Sequence, residues 1–360
     1  MTENPRITAT EQPGQTSPAP MFSVVIVNYN GGAYIQAALD SLRAQTRQDF
    51  EVLLVDNASS DGSADNLDVS GLPEFTLLAE TENHGYARGT NLGALRAKGE
   101  WIVCLNPDAV ADPDFLDKIA DGIARHPGVS MFASAQYNLE NPNLLDGAGD
   151  AYLIFGIPWR GGFSRPASEM PDEGECFSPC GAGAVFRREL FLAHGGFDEE
   201  FFCYCEDVDL GFRLRLAGET CLFLPRAVIH HVGGGLAGRA SDFSIYHGTR
   251  NRIWTYAKDM PGAILWLTLP GHLTLSLYLL VRSAMTGRVR ETWRGMRDGF
   301  RDASRMRRKG RDIRRNSRVP LWHLARTMAW NPWRMSQLRV HVRKLPDNSS
   351  VSSPNASKAL

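Results

Sequence analysis

The 360-residue chain lacks the marks of several protein classes. Six cysteines in so long a chain are too few to staple a disulfide scaffold. Cys176-x3-Cys180 and Cys203-x-Cys205 miss the paired spacing of structural zinc, so the thiols read as reduced and partly buried. No Gly-x-Gly-x-x-Gly follows the first strand-like run and no Walker loop is present, which excludes both common phosphate-cradling turns. Residues 1–20 have no apolar stretch of the secretory kind and read, like the Ser/Asn/Pro-rich 346–360, as disordered flanks. Net charge is also nearly lacking, at −1, but the sum hides an asymmetry. Residues 1–281 carry a net −16, whereas 282–318 hold 14 Arg and Lys against 4 acids. A soluble acidic body with a basic arm that seeks phosphates is expected.

What is present is a strand–helix alternation. Residues 22–27, 52–55, 75–78 and 101–105 are short apolar runs, as strands covered on both faces require. Between them Ile35, Ala38, Leu39 and Leu42 recur with helical period, 86–98 reads as helix, and Pro113 opens another helix through Phe115, Ile119 and Ile123. The pattern predicts an α/β domain with a mainly parallel sheet flanked by helices. Further on, 129–136 and 182–187 read as strands. Residues 206–217 read as a helix with Glu206, Asp207 and Asp209 in its first turn, and 220–224 as a last strand.

In such sheets ligands bind beyond the carboxyl ends of the strands. The polar residues cluster there: Asn28 after the first strand, Asp56 and Asn57 after the second, Asn106 and Asp108 after the fourth. With no phosphate-cradling turn, acidic groups beside a phosphate call for a divalent cation, magnesium or manganese.

The segments VVIVNYNGGAYIQAALDSL, EVLLVDNASSDGS, ENHGYARGTNLGALRAKGEWIVCLNPDA, GGFDEEFFCYCEDVDLGFRLRLAG and HHVGGG, in this order, resemble the family 2 inverting glycosyltransferases. They look closest to the rhamnosyltransferase-like branch, in which Asn-Pro-Asp stands in the metal motif. The resemblance spans about residues 22–258. It implies a GT-A fold, a nucleotide-diphospho-sugar donor and inversion at the anomeric carbon. It also implies that Asn28 and Asp56 contact the nucleoside, and that Asn83, Arg88 and Asn91 line its pocket. Asn106 and Asp108 would occupy the metal motif, with Asp108 as ligand. Asp207 would be the catalytic base, and His230 or His231 would help to hold metal or diphosphate.

The chemistry needs these types. An acceptor hydroxyl is too weak an acid to lose its proton unaided, so a positioned carboxylate should take it. The departing diphosphate gains charge, which a cation neutralises. Each residue also has a plainer role open to it. Asp207 would favour a helix dipole, Asp108 a turn before Pro113, and the histidines a buried structural site. Glu206 and Asp209 read as supporting residues, with Asp209 turned away from Asp207 by its helical offset. Arg213 reads as a salt-bridge partner, Asp61 as the cap of a short helix over 62–67, and Gly233 to Gly235 as a loop or phosphate nest.

Residues 260–281 contain no Asp, Glu, Lys or Arg, long enough to cross a bilayer. Pro270 and Gly271 interrupt the run, and a single crossing would part the basic arm from the catalytic body. A segment that dips in and returns, or lies flat, reconciles the two; a soluble packing helix is the alternative. Trp293, Met296, Phe300 and Met306 within the basic arm suit an interfacial helix on an anionic membrane. No nucleic-acid motif accompanies it. Four segments follow: a leader over 1–20, a glycosyltransferase domain over 21–258, a membrane-associating region over 259–345 and a tail over 346–360. The expected protein works at the cytoplasmic face of the cell membrane. It would transfer a sugar, dTDP-rhamnose being the favoured donor over UDP-galactofuranose or a UDP-hexose, to a polyprenyl-linked or glycan acceptor. A sugar nucleotidyltransferase is disfavoured by the Asn-Tyr-Asn-Gly-Gly turn, and a non-catalytic scaffold by the intact Asp108 and Asp207.

Overall fold

The computed structural model describes residues 7–9, 19–233 and 241–345. Most of the 1–20 leader, the glycines after Gly233 and the 346–360 tail lie outside the described residues. Within the leader, β1 (Ile7–Ala9) runs antiparallel to β4 (Phe75–Ala79). The apolar runs form β2 (Phe22–Asn28), β3 (Phe50–Asp56), β4 and β5 (Trp101–Leu105), parallel in the order β4-β3-β2-β5. Every residue of β2, β3 and β5 is buried, as uniform apolar runs predict.

One face of the sheet is covered by α1 (Tyr34–Arg43), through Ile35, Leu39 and Leu42, and by α3 (Phe115–Arg125), through Phe115, Leu116 and Ile119. The other face packs on α2 (Gly85–Arg96), α4 (Arg188–Ala193) and α5 (Glu206–Ala217), through Ala87, Ala94, Phe191, Leu210 and Leu214. Beyond β5 the sheet becomes mixed. β12 (Ala184–Arg187) is antiparallel to β5 and to β7 (Met131–Asn138), and β13 (Cys221–His231) is parallel to β7. The short β6 (Ala109–Ala111), β8 (Leu145–Ala148), β11 (Gly174–Glu175) and β14 (Arg343–Lys344) complete it, and β9 (Asp150–Leu153) with β10 (Ile157–Arg160) makes a separate hairpin.

Three expectations change. β13 does not stop near Leu224; the register slips between Leu224 and Val228, at a bulge around Pro225, and the strand continues to His231. No helix forms over 62–67: Asp61 instead accepts the Gly32 and Ser63 amides, tying two turns together. Of the four residues expected on an interfacial face of the basic arm, Met296 and Met306 are buried within the protein, and Trp293 and Phe300 are exposed.

The C-terminal helices are α6 (Asp242–Asp259), α7 (Gly262–Met285), α8 (Val289–Lys309), α9 (Arg311–Arg315), α10 (Leu321–Thr327) and α11 (Pro332–Ser336). Ser241 caps α6, accepting the Ser244 amide. α7 continues as one helix through Pro270 without reversing, and by length and composition it is apolar enough to cross a membrane.

Candidate active site

The first turn of α5 is presented by a strained approach. Phe202, Tyr204 and Cys205 all have positive φ, near 67°, 73° and 66°, a conformation that non-glycine residues adopt only where their surroundings impose it. Fully buried Asn251 of α6 imposes it: its Nδ2 donates to the carbonyls of Phe201, Cys203 and Tyr204 at 2.7–2.9 Å. Asp207 is then held from both sides, Oδ2 accepting the Gly181 amide at 2.7 Å and Oδ1 the Val208 amide at 2.8 Å.

Asp207 lines a cavity of about 340 Å³ together with Asp150, Arg160, Cys180, Glu206 and Arg252. Burial raises the Asp207 pKa above the usual carboxylate range, making it a better proton acceptor, while the two amides and Arg160 restrain the rise. Burial, reinforced by the Asp207 charge, pushes the Glu206 and Asp150 pKa values well above the ordinary carboxylate values.

A second array lies next to it. His231 Nε2 is 3.1 Å from Asp108 Oδ1, and Nδ1 is 2.8 Å from Asp146 Oδ2. Arg160 closes the array on Asp146. Burial opposes a charge on His231, but the hydrogen bonds to Asp108 and Asp146 outweigh it and hold the pKa above its ordinary value. Asn106 joins the array to the cavity, which it lines, with Nδ2 3.2 Å from His231 Nε2. His230 is on the opposite face of β13, 3.1 Å from Asp112 and stacked on Tyr137, and is not part of the array.

Asp108 and His231 fit a divalent cation: a carboxylate oxygen and a ring nitrogen converge, and a carboxylate on the other ring nitrogen fixes the imidazole as metal-bound histidines require. Asp150, Cys180 and Asp207 also bring ligand atoms within 4.8 Å of one another. That group suits a cation less well, because the Arg160 guanidinium already lines the cavity and two backbone amides already occupy the Asp207 oxygens.

A further polar cluster lies at the strand ends. Asn28 Nδ2 donates to Asp56 Oδ1 at 2.8 Å and to the hydroxyls of Ser59 and Ser63. The buried Oδ1 atoms of Asn28 and Asn57 have no hydrogen-bond partner among the described residues. A cavity of about 460 Å³ opens here, walled by Tyr29, Asn57, Asn83, Pro107 and Phe202, and it shares Tyr86 and Cys203 with the Asp207 cavity.

Not every expected residue reaches these cavities. Arg88 is exposed on α2 and lines neither. Asn91 is a fastener: its side chain accepts the Phe197 amide and donates to the Phe197 carbonyl, both at 2.8 Å. Asp209 turns away from Asp207 into an ion pair with Arg213 at 2.8 Å and Lys258 at 2.6 Å, and Arg213 also holds the His194 and Gly196 carbonyls. These groups set the loop before α5. Sequence reasoning missed Asp146, Asp150, Arg160 and Asn251, which no short motif marks.

The chain matches the family model described as Glycosyl transferase family 2 over residues 23–195. It is 31% identical over 302 residues, 74% of this chain and 94% of the relative, to an N-acetylglucosaminyl-diphospho-decaprenol L-rhamnosyltransferase of Mycobacterium tuberculosis. Among solved structures it is similar to S. aureus TarS 1-349 in complex with UDP-GlcNAc, with a TM-score of 0.52 and 17% identity over 82% of this chain and 89% of that one. It is also similar to the mannosyltransferase PcManGT from Pyrobaculum calidifontis in complex with GDP-Man and Mn2+, at 0.50 and 20%, over 81% and 88% of the two chains. Both likenesses bear on the fold, which is of the GT-A type.

Proposed function

The chain belongs to glycosyltransferase family 2, and from that premise we propose that it moves a sugar, rhamnose being favoured, from a nucleotide-diphospho-sugar to a lipid-linked glycan acceptor with inversion. The observation that carries the reading is the junction at Asn106, which lines the Asp207 cavity and contacts the ring that faces Asp108. A proton acceptor and a leaving-group site thus adjoin, as a single displacement needs. The curated relative's name supports rhamnose and a polyprenyl-diphosphate acceptor.

In the reaction Asp207 takes the acceptor hydroxyl proton as the oxygen attacks the anomeric carbon from the face opposite the diphosphate. The Gly181 and Val208 amides orient the carboxylate, so no reorganisation accompanies attack. Asn83 and Asn57 face the nucleoside end from the wall of the strand-end cavity, and Asn28 and Asp56, buried behind it and lining neither cavity, brace the turn there. Asp108 and His231 would hold a divalent cation, which supplies charge neutralisation for the departing diphosphate. The place of work is the cytoplasmic face of the cell membrane, where nucleotide-sugars are made and where the basic helices find anionic lipid.

The test is turnover against a panel of dTDP-, UDP- and GDP-sugars with a polyprenyl-diphospho-saccharide acceptor, with manganese or with chelator. Product from dTDP-rhamnose, lost in chelator, is expected. Turnover with a UDP-sugar alone would overturn rhamnose, and absence of nucleoside diphosphate binding by calorimetry would overturn the whole reading.

A further inference from the structure

Helix α7 is amphipathic in the reverse sense of a soluble helix. It buries Thr268, His272, Ser276 and Ser283, together with Ile264 and Leu265 near its start. It exposes Trp266, Leu267, Leu277, Tyr278, Val281 and Met285, with Leu267 79% and Met285 84% accessible. The polar side is what fastens it. Thr268 Oγ1 is 2.8 Å from Tyr256 Oη, Arg252 donates to Ser276 Oγ at 3.1 Å, and the His272 Nδ1–H reaches the Phe155 carbonyl at 2.8 Å. Gly271 sits so close to Phe155 that a Cβ there would meet the ring at 2.4 Å.

The outward side continues into the helices that follow. α10 shares an apolar cluster with the start of α7, and α11 contributes Met335 to another with Leu275 and Leu279. Trp322, Trp330 and Trp333, in and between these two helices, are exposed. Among the described residues, all but four of the large exposed apolar side chains lie between Trp266 and Trp333. Basic groups accompany them: Arg290, Arg294, Arg297 and Arg301 of α8 are all at least half exposed. Exposed Trp beside exposed Arg is the composition of a surface that meets headgroups and acyl chains together.

We propose that α7, α10 and α11 form one docking face for an anionic phospholipid bilayer, with the α8 arginines at its rim, and that α7 lies in the plane of the interface and does not cross. Charge complementarity selects an anionic lipid surface over a neutral one. Crossing is opposed by the fastening. To span, α7 would either leave Arg252, Tyr256 and the Phe155 carbonyl without their partners, or carry them into hydrocarbon.

The hairpin β9–β10 connects this face to the chemistry. Leu153 and Ile157 pack in the cluster with Leu275, Leu279 and Met335, while Asp150 and Arg160 of the same hairpin line the Asp207 cavity. An acceptor held by a lipid tail therefore reaches Asp207 from the docked side. This last step rests on the glycosyltransferase reading above; the docking face itself does not.

The experiment is flotation of the full chain with vesicles of phosphatidylcholine, or of phosphatidylcholine with about 30% phosphatidylglycerol, with no donor present. Binding to the anionic vesicles, falling as salt rises, is expected. Leu267→Ser with Leu277→Ser should weaken it at least tenfold, as should Arg294→Gln with Arg301→Gln, a pair that leaves the apolar face untouched and guards against a folding defect. Membrane-impermeant maleimide should label Gly262→Cys and Thr286→Cys from the same side of sealed vesicles. Labelling from opposite sides, absence of vesicle binding, or a dimer in solution abolished by the Leu267→Ser pair would each overturn the proposal. Donor binding, measured separately by calorimetry, reports on the glycosyltransferase reading and leaves the lipid result standing.

Discussion

His230 and His231 are consecutive, and β13 turns them to opposite faces. His231 is almost wholly buried between Asp108 and Asp146, whereas His230 lies a quarter exposed beside Asp112. The alternation of a strand thus separates two residues that look equivalent in the motif. His231→Asn is expected to weaken manganese-supported binding of a nucleoside diphosphate by about 10- to 100-fold, and His230→Ala to leave it near wild type. Asp108→Ala should weaken binding only when the cation is present. Calorimetry with manganese and with chelator checks all three, and a larger loss in His230→Ala would reverse the assignment.

Asp207→Asn removes the proton acceptor and keeps the shape. The Gly181 and Val208 amides then face a side chain with one acceptor oxygen in place of two. Nucleotide binding should persist while transfer falls by about 10²- to 10⁴-fold, the range for a lost general base. Single-turnover product formation measures it. A variant that keeps more than a tenth of the wild-type rate would remove Asp207 from the role.

The parallel half of the sheet was legible because β2, β3 and β5 are buried on both faces and their residues had to be apolar without interruption. Asp56, Asn106, Asp108 and Asp207 were legible for a related reason: each sits at a strand end or in a helix first turn, where a motif is local. Arg160 and Asp146 were not, because they come together across the β8–β10 region, whose strands are short and carry no repeating pattern. Arg88 and Asn91 show the opposite failure. They share α2, but its two flanks face solvent and the Phe197 loop, so Arg88 points to water, Asn91 fastens the loop, and neither lines a cavity.

Arg160 is placed to keep Asp207 ionised. Its guanidinium lines the same cavity and lowers the Asp207 pKa against the burial that raises it; burial pushes Glu206, Asp150 and Cys180, which line the same cavity, toward their neutral forms. In Arg160→Met the Asp207 pKa should climb further. The acid limb of the kcat profile should therefore move to higher pH, with activity recovering as pH rises. A lower rate with an unmoved limb would mean that Arg160 serves only to hold Asp146.

Asn251 holds the loop at Phe202–Cys205 by three carbonyls, and Phe202 and Cys203 of that loop also wall the cavity at the strand ends, so its loss should reach both Asp207 and that cavity. Asn251→Ala is expected to lower kcat at least tenfold and to weaken nucleoside diphosphate binding with it, since the hydrogen bonds that maintain positive φ are removed. Asn251→Asp, which cannot donate to carbonyls, should not rescue it. An unchanged kcat would remove the loop from the role, and a thermal melt separates a local effect from general unfolding.

The buried His272 makes the fold acid-sensitive. Burial, with Arg252 nearby, pushes its imidazole down to about 4, while the Nδ1–H bond to the Phe155 carbonyl works the other way and only restrains the shift. In the unfolded chain the same group titrates near its ordinary value, so the folded state binds the proton less readily. The stability it contributes is fully present above pH ~6.5 and is lost as pH falls toward ~4, amounting to about 2 kcal/mol by pH ~5. His247 and His341, each also pushed down to about 4, act in the same direction, and His231, held above its ordinary value, acts oppositely. The His272 share is therefore read as a difference. Urea unfolding of wild type and His272→Gln should show the wild type losing about 2 kcal/mol more than the variant between pH ~7 and ~5. Parallel losses would mean that His272 is protonated in the fold, and that α7 is held by a charged ring rather than a neutral one.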